Sequence, residues 1–127
     1  MSKDRPAGFT LVELVMAMAI MFIVFLGLAG VAMTGLEYNI QNALRDEAVS
    51  VGESRMNEVR SIPFDNIVTP AAPDNVLRPV RGFNATYSVT TTVASPDAEL
   101  RQVTMVVGWT RHGKAYSHTF SSLIRRR

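Results

Sequence analysis

With 127 residues and a formal net charge of +2, the chain offers one small globular unit and too little charge to argue for a nucleic-acid partner. It has no cysteine, which excludes a disulfide framework, a CxxC redox pair and any cysteine-based metal site. The charge is unevenly spread. Residues 9–60 carry six acidic and three basic side chains and residues 61–127 four acidic and eight basic, a polarity able to orient a partner.

Residues 1–8, MSKDRPAG, are short and polar, with Lys3 and Arg5 as cations. Behind them Leu14 to Met33 carry no charge and no strongly polar group. As a helix this run spans roughly 30 Å, the hydrocarbon thickness of a bilayer. Basic residues ahead of it keep that side cytoplasmic and send the rest of the chain outward. Two plainer readings compete. A cleavable secretory signal has a shorter apolar region followed by a small-residue site, for which Gly30-Val31-Ala32 is a loose candidate. Its core is also purely apolar, whereas here Glu13 stands near the start. An uncleaved anchor helix fits the hydropathy equally well.

The residues that decide are Gly8-Phe9-Thr10-Leu11-Val12-Glu13. A basic leader, a glycine, a large apolar residue, a glutamate at the fifth position after that glycine and an unbroken apolar run together resemble the prepilin motif of the type IV pilin and type II secretion pseudopilin family. The resemblance implies that an inner-membrane aspartic peptidase, the prepilin peptidase, cuts between Gly8 and Phe9. It also implies that the same enzyme N-methylates Phe9, so that the chain is a substrate of this chemistry and not its catalyst. The physical tasks of the residues agree. Gly8 lets the backbone lie extended in a cleft, and Pro6 stops the leader from continuing as helix. Phe9 becomes a new cationic chain end. A carboxylate in lipid costs about 2.5–3.5 kcal/mol near a helix centre, so Glu13 calls for a partner. The Phe9 amine, one turn away in the same chain or on a neighbouring subunit, can serve and would set register. The competing reading leaves Glu13 solvated among the headgroups.

After Met33 the pattern becomes amphipathic. Leu36, Ile40, Leu44, Ala48, Val51, Val59 and Ile62 recur at steps of three and four, while charged residues take mostly other faces. Residues 10–61 therefore read as one long helix ended by Pro63. It has an apolar transmembrane and assembly half at 9–35 and an amphipathic half at 36–62. Gly27 and Gly30 sit in the apolar half, where small residues permit close helix packing. Family resemblance adds the alternative that the helix unwinds there on assembly.

Residues 63–127 form the head. The proline-rich stretch from Ser61 to Gly82 reads as a loop. Phe83, Ala85, Tyr87, Val89, Thr91 and Val93 alternate with polar residues as a half-buried strand, and Ser95-Pro96-Asp97 is a turn. Val103, Met105, Val107 and Trp109 alternate in a second strand, Arg111 to Lys114 turns, and Ala115 to Leu123 gives a third with Tyr116, His118 and Phe120 on one face. The expected fold class is α+β: a long N-terminal helix packed on an antiparallel sheet of about three strands, as in the type IV pilin fold. Arg60-Ser61-Ile62-Pro63-Phe64-Asp65 and the late tryptophan strand resemble PilV-like minor pilins.

Catalytic chemistry is not expected. His112 and His118 lack ligand-spaced partners. Asp65, Asp74, Asp97 and Glu99 lack calcium-loop spacing, and no nucleophile elbow or phosphate loop occurs. No cofactor is expected. Arg125-Arg126-Arg127 reads as a solvated, disordered tail in preference to a phosphate contact. The functional expectation is a minor pilin of a type IV pilus, concerned with assembly, adhesion or motility. A minor pseudopilin of a type II secretion system is the near alternative, and a DNA- or surface-binding pilin head the alternative of another class. The expected partners are prepilin peptidase, major and minor pilin subunits, the inner-membrane assembly platform and the membrane itself. The location that follows is the bacterial inner membrane as a single pass with the head outside the cytoplasm, then a pilus or periplasmic pseudopilus.

Overall fold

The computed structural model describes residues 8–126. The leader's Lys3, Arg5 and Pro6, and the terminal Arg127, lie outside the described residues. The chain folds as two compact units, Met1–Asn39 and Ile40–Arg127. The helix α1, Leu11–Ser61, contributes 51 residues. It stops where the sequence requires, two residues short of Pro63, and Ile62 N–H closes the end on the Val59 carbonyl at 3.2 Å. A single 3₁₀ turn, Phe64–Asn66, follows.

Within the first unit the apolar residues of α1 are exposed on every face, and none of its most apolar 18-residue window is buried. A helix apolar all round has no solvent face and needs lipid or other helices for cover. The segment fits a membrane-anchored protein. Gly27 and Gly30 remain helical, and the Thr34 hydroxyl donates to the Gly30 carbonyl at 3.0 Å.

The second unit is a four-stranded antiparallel sheet in the order β1-β2-β3-β4 with the later part of α1 on it. The strands are β1 Asp74–Val80, β2 Phe83–Asp97, β3 Leu100–Arg111 and β4 Lys114–Arg125. The α+β class holds, with one strand more than the alternation predicted. That strand lies inside the stretch read as loop. It pairs only with β2, so Pro79, which has no N–H to give a ladder, is tolerated on this edge. Its inward face is Val76, Arg78 and Val80, and the arginine breaks the apolar alternation. Arg78 is accommodated by Glu47 of α1, with Nε 3.7 Å from Oε1.

The turn expected at Ser95-Pro96-Asp97 falls instead at Ala98-Glu99. β2 continues through Pro96, with its register shifting between Ala94 and Asp97, and the Asp97 carboxylate accepts the Ala98 N–H at 2.6 Å. Two-residue loops close the other hairpins. Arg81-Gly82 and His112-Gly113 all have positive φ, the backbone that matches the twist of a tight hairpin.

The core forms two clusters between α1 and the sheet. The first joins Leu44, Ala48 and Val51 to Tyr87, Val89, Val107 and Trp109, and the second joins Met56 to Ile67, Val103 and Met105. Phe120 packs against both. It can do so because Gly52 of α1 leaves room: a Cβ there would meet the Phe120 ring at 2.1 Å. The predicted stripe needs correction at its ends. Leu36 is 63% exposed and Ile62 40%, while Met56 and Gly52, absent from that stripe, are buried. The Tyr87 hydroxyl, fully enclosed, donates to the Leu44 carbonyl at 3.0 Å.

Arg125 and Arg126 do not belong to a disordered tail. Arg125 is the last residue of β4, paired with Leu100. Arg126 donates its N–H to the Glu99 carbonyl at 2.9 Å, and its guanidinium lies over the Phe64 ring and ion-pairs with Asp65. Arg101 covers the same ring with its guanidinium carbon 4.8 Å from the centroid.

Candidate functional site

The candidate site is the start of α1. Gly8, Phe9 and Thr10 precede the helix in irregular backbone, and the helical run begins at Leu11. Thr10 caps it. Its Oγ1 accepts the Glu13 N–H at 3.2 Å, and its carbonyl accepts the Leu14 N–H at 3.1 Å. Thr10-x-x-Glu13 is thus the capping-box spacing, with the acid in the first turn, where the positive end of the helix dipole favours it. The spacing of Thr10 and Glu13 carries this signal in the sequence, where it is masked by the role of Glu13 as a lone charge in an apolar run.

The cap fixes where helix ends and extended chain begins. The bond between Gly8 and Phe9 lies outside the helical hydrogen-bond ladder, so a peptidase need unwind nothing to reach it. Gly8 would meet nothing within 4 Å if it bore a Cβ, and Phe9 is 88% exposed. Glu13, also exposed, stands in the first turn of the helix that follows Phe9. Gly8 and Phe9 thus lie in irregular backbone just ahead of the helix, and Glu13 lies in its first turn.

The other residues weighed for chemistry are drawn apart. His112 is in the β3–β4 turn, and His118 is on β4 with its ring edge-on to Phe120 at 4.8 Å. Asp65 is engaged by Arg126 and Asp74 by Arg55, while Asp97 binds backbone. Arg55 also reaches Glu58 at 2.7 Å, and that hydrogen bond is the main reason its guanidinium pKa is raised. Burial pushes the Tyr87 phenol up to about 12, with the Glu47 carboxylate adding to the shift.

Residues 3–29 match a family model described as the prokaryotic N-terminal methylation motif. Neither a curated protein nor a solved structure matches the chain.

Proposed function

We propose that this chain, a prepilin of the type IV pilin and pseudopilin kind, is a minor pilin of a type IV pilus, PilV-like in its head. In this reading prepilin peptidase cuts between Gly8 and Phe9 and methylates the Phe9 amine. The observation that carries it is the matched motif set at a capped helix start, with an accessible Gly8–Phe9 bond and uncovered apolar surface behind it. The motif implies both the peptidase and assembly with other pilins.

The steps follow from the residues. Before cleavage the chain sits in the inner membrane with Lys3 and Arg5 on the cytoplasmic side and the head outside. Cleavage removes those cations and creates a positive amine at Phe9. Glu13, held in the first turn by the Thr10 cap, is the acid able to meet that amine on its own chain or on a neighbour. The exposed apolar helix then exchanges lipid contact for contact with other subunit helices, packing that small residues such as Gly27, Ala29 and Gly30 allow.

Pili sheared from cells and purified separate this from the pseudopilin alternative. The chain should be present in the sheared fraction at a low ratio to the major subunit. Its absence there, with retention in the cell envelope alongside intact secretion, would assign it to the secretion piston instead.

A further inference from the structure

We infer that the free edge of β4, with the groove it forms against α1, docks an extended strand from a different polypeptide. On its groove-facing side that strand carries an apolar residue and, two positions away, a carboxylate. The two edges of the sheet are unlike. β1 is seven residues long and holds Asp74, Arg78 and Pro79, residues that discourage further pairing. β4 is twelve residues long, pairs only with β3 among the described residues, and keeps an unshifted register from Lys114 to Arg125. From Ala115 to Ile124 it has no proline, glycine, lysine, arginine or carboxylate. This edge is open to another strand.

The ladder fixes which backbone groups are free. Arg126 donates its N–H to the Glu99 carbonyl, so its backbone groups turn toward β3. In an antiparallel pair that direction alternates residue by residue. Tyr116, His118, Phe120, Ser122 and Ile124 therefore also turn toward β3, while Ala115, Ser117, Thr119, Ser121 and Leu123 turn N–H and C=O outward. A strand added antiparallel would bond this outward set. Its residues opposite Tyr116, His118, Phe120, Ser122 and Ile124 would carry their side chains on the α1 face, since directly opposite residues share a face. That face has room for them. The inward residues of β3 from Val103 to Trp109 are buried, but those of β4 from Tyr116 to Ile124 are only half-buried. Three clefts follow one another along them: about 340 Å³ at Tyr116 and His118, about 300 Å³ at Phe120, and about 910 Å³ at Ile124.

The clefts select the occupant. Phe120 and Met56 line the middle one and suit an apolar side chain. Arg60 lines both the middle cleft and the next, and its guanidinium reaches only a neutral group, the Ser122 hydroxyl, at 3.0 Å. Glu53 shares the middle cleft without an ion pair to Arg60, and Asp65 in the next is held by Arg126. A carboxylate on the residue opposite Ser122, its Cα about 4.5 Å away in such a pair, would meet Arg60. Backbone bonds to the edge then supply affinity, and the alternate side chains supply specificity. A second copy of β4 does not fit, because β4 has no carboxylate and an antiparallel copy in the same register sets Lys114 against Arg125. The groove lies wholly within the second unit, so the inference stands whether or not the chain enters a filament.

The test uses the full-length protein in zwitterionic detergent and a labelled, end-blocked peptide of about eight residues, a common strand length. Threonine alternates with valine in it, and one central valine is replaced by glutamate. Fluorescence anisotropy should show saturable binding. Amide exchange should slow on binding at Ser117, Thr119, Ser121 and Leu123, and stay unchanged at His118, Phe120 and Ser122, which already face β3. N-methylating the threonine amides, the set that faces β4, should weaken binding at least about tenfold. Thr119→Pro removes one outward donor at an edge position that tolerates proline, and should weaken binding similarly with Trp109 emission unchanged. Exchanging the peptide's glutamate for glutamine should weaken binding about fivefold in the wild type and not at all in Arg60→Gln. Absence of saturable binding, equal affinity for the N-methylated peptide, or the same loss on glutamine exchange in Arg60→Gln would overturn the inference. So would concentration-dependent protection of the outward amides in the protein alone, which would make a second copy the occupant.

Discussion

Gly52 is the position where a single methyl group should do most damage, and the size of the effect can be worked from the contact. An alanine Cβ would stand 2.1, 2.5 and 2.7 Å from three atoms of the Phe120 ring. Carbon atoms pack at about 3.5–4.0 Å, so the ring must retreat by roughly 1.5 Å. It packs against both core clusters and meets the His118 ring edge-on, so a retreat into the open cleft that it lines gives up those contacts. Overpacking of this kind costs about 1–3 kcal/mol, and so severe a contact belongs in the upper half of that range. Against it, alanine gains about 1 kcal/mol over glycine in a helix interior. The net expectation for Gly52→Ala is a loss of roughly 1–2 kcal/mol. Phe120→Val removes the ring while keeping a residue suited to a strand. In that background the clash is gone, and Gly52→Ala should be neutral or stabilising by up to about 1 kcal/mol, a coupling of roughly 1–3 kcal/mol. Urea unfolding of the detergent-solubilised protein, followed by Trp109 emission, measures all four corners of the cycle. Equal effects of Gly52→Ala in both backgrounds would refute the reasoning, because the ring would then not be what the helix makes room for.

Other outcomes follow from the same structure. Gly8→Val should accumulate unprocessed precursor, seen as a slower-migrating band on immunoblots of membranes. Glu13→Ala should leave cleavage intact and reduce the amount of chain in sheared pili; wild-type incorporation would mean that the Phe9–Glu13 pairing contributes little. Thr10→Ala removes an N-cap worth about 1 kcal/mol, so exchange of the Glu13 amide should quicken about fivefold while processing continues. The Tyr87 phenol is raised in the fold to about 12 from an ordinary value of 10.0, so its contribution is complete below pH 10 and is lost as pH rises through 12. Head stability should fall over that window. Tyr87→Phe should abolish that share of the fall and cost about 1 kcal/mol at neutral pH, through loss of the bond to the Leu44 carbonyl.

The sequence made some of this plain and hid the rest for identifiable reasons. β2, β3 and β4 were legible because apolar, β-branched and aromatic residues alternate with polar ones along most of each strand, although His118 and Ser122 fall on the inward face of β4, and the helix end because proline forbids continuation. β1 was not, because Arg78 occupies an inward position and Pro79 an outward one. Only the edge location and Glu47 across from Arg78 make such a strand acceptable. The Gly52–Phe120 contact joins residues far apart in the chain, and nothing local at either position announces it. Arg125 and Arg126 looked like a free basic tail, since neither the register that carries β4 to Arg125 nor the Phe64 ring under Arg126 can be read from a charge run. At the candidate site Gly8, Phe9 and Glu13 were identifiable from spacing and family resemblance. The Thr10 cap was written in the same residues, and only the helix start reveals that the Thr10 hydroxyl accepts the Glu13 N–H.

The chemical state of the chain's first residue in cells bears most directly on the proposed processing and assembly. Intact-mass and N-terminal fragment spectrometry of protein extracted from membranes should find a chain beginning at Phe9 with one methyl group on its amine. A protein that still begins at Met1, or one that begins beyond Met33 with the apolar helix gone, would contradict it.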